Sequence, residues 1–423
     1  MILVSIGISC SSTHEGVHGV LTSGDPETEG FSHLRLQRID TALNKWVDDG
    51  WMNGAVAMIV RDGRIVYFKS VGYNDVETKT PMKNDGIFRI ASQTKAITSV
   101  AAMMLFEEGK FSLDDPVSKF IPSFADTRVL EKFNKADSTF TSVSASRQIT
   151  IRDLMVHRSG LTYYHPLYAG SHLEVGFDVE GEKLSAAMQR LSQLPLMHQP
   201  GERFTYGLNT DVLGYLVEIW SGKSLDEFFS ERIFGPLAMQ DTYFNLPGEK
   251  SARLVNMYVV DSTGMRKAQE SHGADVNFPL KKKTYFSGGS GLCSTISDYA
   301  IFLQMLLNEG VYNEQTLLLP ATVRLMVTDQ IGDIPVPDWD PMLGVNGFGL
   351  GFCIVNQKGS TLVAGDVGTY SWGGGFTTTY WVDPHQRIIG QLYRQMEGRH
   401  IEDIDHEFKS LVYAAIQSSE SKK

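Results

Sequence analysis

Ser92-Gln93-Thr94-Lys95 puts a hydroxyl and an amine three positions apart at the head of an unbroken helical stretch, Ala96 to Gly109. Residues at i and i+3 share a helix face, so the Lys95 amine can reach the Ser92 oxygen. A lysine stripped of water could take the serine proton, which turns an inert hydroxyl into a nucleophile. The run that follows, Val100-Ala101-Ala102-Met103-Met104-Leu105-Phe106, is apolar around most of the helix and marks it as buried. Its N-terminus offers backbone N–H groups, useful where negative charge develops on a substrate oxygen. The pattern is weak alone: Ser419-Glu420-Ser421-Lys422 matches it equally well in the polar C-terminal residues, with no core helix behind it. An N-cap serine followed by a solvated lysine reads the same way.

Other reactive groupings carry less. His14-Glu15-Gly16-Val17-His18 satisfies the H-E-x-x-H pattern of zinc peptidases, but Gly16 and Gly19 weaken a helix there and no apolar face surrounds it, so the match reads as accidental. No serine sits in a G-x-S-x-G elbow. His157, His165, His198 and His385 are conceivable triad bases, yet a serine–lysine site needs none, and His157 reads as ordering the loop before Gly160. Cys10, Cys293 and Cys353 show no metal-ligand spacing and imply no disulfide framework. No metal or organic cofactor is implied.

The elements that must position the pair can be read in outline. Leu34 to Val47 has helical spacing of apolar residues. Gly54 to Val60 and Arg64 to Phe68 flank Asp62-Gly63 as a hairpin. Strand-like runs return only at Phe376 to Val382 and Arg387 to Tyr393, before a closing helix from Ile401 to Ile416. The two chain ends are therefore expected to share one antiparallel sheet flanked by helices, an α+β lobe of residues 31–110 and 345–423. Residues 111–344 read as a mostly helical lobe, with helices at Leu184 to Leu191, Asp211 to Trp220, Leu225 to Arg232 and Ser297 to Leu307. Long connections at 125–147 and 163–180 could overhang a cleft.

The chain has 423 residues, 42% of them hydrophobic and 21% charged, with a net charge of -11, which suits an enzyme better than a polyanion binder. The basic residues form no long stripe, so nucleic acid is excluded as a partner. No apolar run approaches the roughly 20 residues that span a bilayer. Met1 to Ser12 resembles the end of a bacterial lipoprotein export signal with Cys10 as the lipidated residue. The expectation is export, periplasmic or lipid-anchored, with a cytoplasmic protein as the alternative. Residues 1–30 then read as signal remnant and flexible tether.

Five landmarks in order carry a resemblance: Ser92-Gln93-Thr94-Lys95, Leu154 to Leu161, Pro200-Gly201-Glu202-Arg203-Phe204-Thr205-Tyr206, Gly288-Gly289-Ser290-Gly291-Leu292-Cys293-Ser294-Thr295, and Trp372-Gly373-Gly374. Over about residues 35 to 415 the chain resembles the serine β-lactamase and penicillin-recognising superfamily, nearest to class C β-lactamases and the family VIII carboxylesterases. The resemblance implies a β-lactamase/transpeptidase-like fold and an acyl-enzyme on Ser92. Lys95 is the implied base and Tyr206 the proton relay, with an oxyanion hole from the N–H groups of Ser92 and Gly375. Glu202 reads as structural.

Two departures bear on substrate. Leu208 stands where β-lactamases have an asparagine, and Asn209 is displaced by one. Trp372-Gly373-Gly374 stands where they carry a cation followed by Thr or Ser and Gly to hold a carboxylate, and an indole cannot pair with a carboxylate. Trp372, Gly373, Gly374, Tyr163 and Leu208 are the expected substrate contacts, with Tyr164 and His165 beside Tyr163. Arg394 is a candidate replacement cation, although a solvated strand-end charge reads more simply. The expected activity is hydrolysis of a small-molecule ester with short to medium acyl chains, with weak β-lactam hydrolysis. The alternatives are a β-lactamase, a D-amino-acid peptidase or amidase, and a sensor that is acylated without turnover.

Overall fold

In the computed structural model residues 20–169, 181–271, 274–334, 346–362 and 364–417 are described. The export-signal stretch with Cys10, the His14–His18 motif, the second serine–lysine motif and residues 170–180 lie outside them. The first part of the chain contributes β1 (Thr22–Ser23), α1 (His33–Asp48), β2 (Gly54–Arg61), β3 (Arg64–Asp75), β4 (Phe88–Arg89) and α2 (Thr94–Glu107). The middle contributes α3 (Asn209–Ser221), β5 (Cys293–Ser294) and α4 (Ile296–Leu307). The last part contributes β6 (Gly347–Phe348), β7 (Cys353–Ile354), β8 (Tyr370–Gly374), β9 (Thr378–Asp383), β10 (Ile388–Tyr393) and α5 (Ile401–Ala414).

The run Gly54 to Val60 lacks polar alternation because both faces of β2 are covered. Val56, Met58 and Val60 enter the main core with α2 and α4, whereas Ala55, Ala57 and Ile59 meet Trp46 of α1 and Phe408 of α5. Asp62 and Gly63 both have positive φ, 49° and 77°, the requirement of a two-residue I′ turn whose twist matches the strands it joins. The principal sheet runs β1-β3-β2-β10-β9-β8-β7-β6, with Thr80–Pro81 added to β3. β10 pairs antiparallel with β2, Val60 opposite Ile389, so the two ends of the chain do form one sheet. Helices α1 and α5 cover one face of it.

Three expectations need correction. Residues 20–30, read as tether, belong to the fold: Thr22 and Ser23 pair in parallel with Arg64 and Ile65, and Asp25 caps a turn at Thr28. Backbone pairing holds this segment, so its polar composition carried no sign of it. The connection at 125–147 is a hairpin, Arg128–Phe133 with Phe140–Ser144, whose mostly exposed side chains hid the strand period. Arg394 is fully buried rather than solvated, because Asp405 of α5 turns inward to pair with it. Among the described residues no helix is long and apolar enough to cross a membrane. Cys293 and Cys353 are both buried and not bonded to each other.

Gly390 faces Trp381 directly across β9 and β10, and a Cβ on it would come 2.1 Å from the indole. The ring cannot retreat, being 4% exposed and set edge-on to Phe408. Overpacking of this kind costs about 1–3 kcal/mol. Gly390→Ala is therefore expected to lower the unfolding free energy by that amount, read as a lower midpoint in urea, and an unchanged midpoint would contradict the packing described.

Candidate active site

Ser92 sits in a single 3₁₀ turn, Ala91–Gln93, and α2 begins two residues later, so the hydroxyl is presented just ahead of the helix. Ala91 has φ 41°, a left-handed conformation that costs an L-residue roughly 1–2 kcal/mol. The surroundings hold it there. Ile90 N–H donates to Leu292 O at 3.1 Å, Tyr299 Oη donates to Gln93 O at 2.9 Å, and Tyr393 Oη donates to Gln93 Oε1 at 2.6 Å.

Lys95 is 2% exposed because α2 is buried nearly all round. Its Nζ donates to Gly289 O at 2.8 Å, to Ser92 Oγ at 3.3 Å and to Tyr163 Oη at 3.3 Å, and lies 4.7 Å from the centre of the Tyr206 ring. Among the described residues no carboxylate forms an ion pair with it. Tyr206, on the loop that leads into α3, donates its hydroxyl to Ser92 Oγ at 2.7 Å. The Tyr206 oxygen in turn receives the Trp372 indole N–H at 3.3 Å. Two proton-bearing groups therefore converge on one serine oxygen.

His157 packs against the Tyr206 ring, centroids 4.8 Å apart, and does not touch Ser92. Burial first, and then the Lys95 charge, hold its imidazole well below its usual titration range. Its Nδ1 faces Asn209 Nδ2 at 3.0 Å, which suits a neutral ring accepting from the amide. Asn209 also receives the Ser159 hydroxyl and donates to Thr205 O at 3.3 Å, so its amide is committed inside the fold. His198 contacts Gln199 O and Thr205 Oγ1, and Glu202 accepts from Gln199 N–H. Neither belongs to the site.

A cleft of about 880 Å³ opens over the serine. It is lined by the 163–166 loop and by Trp372 to Phe376, with Ser92, Tyr206 and Ser290 also on its surface. No lysine or arginine is among its described lining residues. The two halves are tied beneath the cleft by Gln395, fully buried, whose Oε1 accepts from Arg89 N–H at 3.0 Å and whose Nε2 donates to Arg89 O at 3.2 Å and Phe376 O at 3.3 Å. One side chain thereby links the strand before Ser92 to the residue after Gly375.

The structure brings Ser92, Lys95, Tyr206, Tyr163, Trp372, Gly373, Gly374 and Gly375 together. Leu208 is not among them: α3 starts at Asn209, which turns Leu208 into the core at 1% exposure. Arg394 faces α5 rather than the cleft. The Gly289 carbonyl, Asp211 and Gln395 escaped sequence reasoning. A main-chain acceptor leaves no residue-type signal, and Gln395 lies beyond the run read as a strand. Asp211, one acid ahead of Val212-Leu213-Gly214-Tyr215-Leu216-Val217, reads as a favourable first-turn charge. Among the described residues no cluster of three or more His, Cys, Asp or Glu side chains could hold a metal.

The β-lactamase family pattern matches residues 39–406. A Mycobacterium tuberculosis protein, named only as uncharacterized, is 33% identical over 381 residues, covering 84% of this chain and 89% of that one. Lovastatin esterase of Penicillium rubens is 31% identical over 405 residues, covering 89% and 98%. Among solved structures, EstCE1, titled a hydrolase with promiscuous acyltransferase activity, superposes with a TM-score of 0.76 at 25% identity, covering 90% and 98%.

Gly374 closes the geometry. A Cβ there would come 2.3 Å from Ile90 O, so β8 can approach the segment that leads into Ser92 only with glycine at this point. A misplacement near 1 Å can cost roughly 10²-fold in rate. Gly374→Ala is expected to slow release of p-nitrophenol from p-nitrophenyl acetate by about that factor while the far-ultraviolet circular dichroism stays unchanged, and a wild-type rate would contradict this role for the close approach.

Proposed function

Because the chain belongs to the β-lactamase family, we propose that it is a serine carboxylesterase working through an acyl-enzyme on Ser92. The convergence of Tyr206 Oη and Lys95 Nζ on Ser92 Oγ, in a cleft with no lysine or arginine among its described lining residues, carries the reading. The donating Lys95 amine must first give up a proton to solvent; in its neutral form it takes the proton of Ser92 Oγ as that oxygen attacks the ester carbonyl, and the N–H groups of Ser92 and Gly375 receive the tetrahedral oxyanion. Collapse breaks the bond to the alkoxy oxygen, and Tyr206 relays the proton so that an alcohol leaves. Water then adds to the acyl carbon, gives up a proton along the same path, and releases the carboxylic acid with Ser92 restored.

Trp372 favours an ester over a β-lactam. A β-lactam carries a carboxylate that calls for a cation, and here an indole faces the cleft while Arg394 is buried in a pair with Asp405. The Asn209 amide, engaged with His157 and Thr205, is likewise withheld from an amide substrate. Acyl transfer to an alcohol in place of water is a second reading, supported by the apolar wall from Trp372 to Phe376 and by the activity named for EstCE1.

Steady-state turnover of p-nitrophenyl acetate, butyrate and octanoate beside nitrocefin tests the proposal. Ester turnover is expected to exceed nitrocefin turnover by far, to vanish in Ser92→Ala and Lys95→Ala, and to fall by about 10²–10⁴-fold in Tyr206→Phe. Dominant nitrocefin turnover would make the protein a β-lactamase, and a single burst equal to the enzyme concentration would make it an acylated sensor.

A further inference from the structure

The Lys95 amine has two acceptors besides Ser92 Oγ, the Gly289 carbonyl and the Tyr163 hydroxyl, and both lead to the same buried acid. Asp211, in the first turn of α3, is 2% exposed. A carboxylate so placed needs partners, and every contact it makes is with a donor. Ser287 Oγ donates to Oδ1 at 2.6 Å, Gly289 N–H donates to Oδ1 at 3.3 Å, and Tyr163 Oη donates to Oδ2 at 3.4 Å. The Ser287 oxygen accepts from Ser290 N–H at 3.1 Å, which leaves its own proton for Asp211. The Tyr163 oxygen accepts from Lys95, which leaves its proton for Asp211 too. A set made only of donors suits the ionised carboxylate.

We propose that Asp211 is a positioning residue for the nucleophile: through Tyr163 and the Gly289 loop its buried carboxylate supplies the counter-charge that holds the Lys95 amine at Ser92. This rests on the serine–lysine–tyrosine reading above. It accounts for a buried amine with no ion-pair partner among the described residues, since the nearest link to an anion runs through one phenol. Burial raises the Asp211 carboxyl, opposed by Ser287, by the Lys95 charge, by Gly289 N–H and by Tyr163. Burial and then the Asp211 charge push the Tyr163 phenol well above its usual range, so it stays protonated and passes the interaction on. The titratable groups around the pair are Tyr163 and Tyr164 from the loop after Gly160, Tyr206, Tyr285, and His157.

The pH profile of kcat/KM with p-nitrophenyl butyrate on the full chain separates this role from loop anchoring. Removing the anion disfavours the protonated amine, so in Asp211→Asn the acid limb is expected to move by about half a pH unit or more toward lower pH. Its kcat is expected to fall about tenfold or more as the amine loses its place. Asp211→Glu, which keeps the charge, should return the limb to its wild-type position. A folded Asp211→Asn with the wild-type limb and kcat would overturn the proposal. If Asp211→Asn does not fold, Tyr163→Phe cuts the same link, and an unchanged kcat there would overturn it. Wild-type turnover in Lys95→Ala would remove the underlying reading instead, which keeps the two failures apart.

Discussion

A primary amine held out of water beside a serine hydroxyl is the constraint around which this molecule is built. Water would otherwise solvate the amine and take it away from Ser92. Burial requires that every hydrogen on the nitrogen meet an acceptor, and the fold provides three: Ser92 Oγ, Gly289 O and Tyr163 Oη. These come from three remote stretches of chain. The apolar cylinder of α2 excludes solvent from one side, and the Gly288–Gly291 turn closes the other. Misplacing any one of them would strand a polar group in the core, an error of about 1–3 kcal/mol.

The sheet answers a different need, which is to set β8 against the segment that carries Ser92. β8 begins 278 positions after Ser92 (370 − 92), yet its last residue, Gly374, lies against Ile90 O. That approach depends on β10 pairing with β2, because β8 reaches the rest of the sheet only through β9 and β10. Gln395 then fastens the strand before Ser92 to Phe376 from below. The cleft wall is therefore placed beside Ser92 by the pairing of the two chain ends, a contact of high sequence separation whose loop-closure entropy the sheet must offset.

What could be read in the residues follows from what kind of contact holds each part. α1, α2, α3, β2 and β10 carry long apolar patterns, and they form where periodicity puts them, within a few residues at each end. The hairpin at 128–144 and the strand at Thr22–Ser23 are held by main-chain pairing with exposed side chains, and such pairing leaves no pattern of residue types. The same division runs through the site. Ser92, Lys95, Tyr206 and Trp372 stand in short motifs and were legible. The Gly289 carbonyl and Gln395 act through backbone atoms, and Asp211 is disguised as a helix-start acid. Leu208 shows the converse: motif alignment put it beside the substrate, but the start of α3 decides which way its side chain turns.

Trp372 belongs both to the cleft surface and to the hydrogen bonds around Ser92. Its indole lies on the cleft surface, and its N–H also donates to Tyr206 Oη, the group that itself donates to Ser92 Oγ. A lysine at this position would bring a full positive charge to the phenol as well as to a substrate carboxylate, whereas the indole brings a neutral donor and a flat apolar face. An indole therefore differs from a cation at this point in two ways: it offers no charge to the cleft, and it gives the Tyr206 oxygen a neutral hydrogen-bond donor. Trp372 shares the placing of that phenol with His157, packed on its ring, and with Ser92, its acceptor, and the indole is itself kept in place by Phe348, edge-on at 5.4 Å.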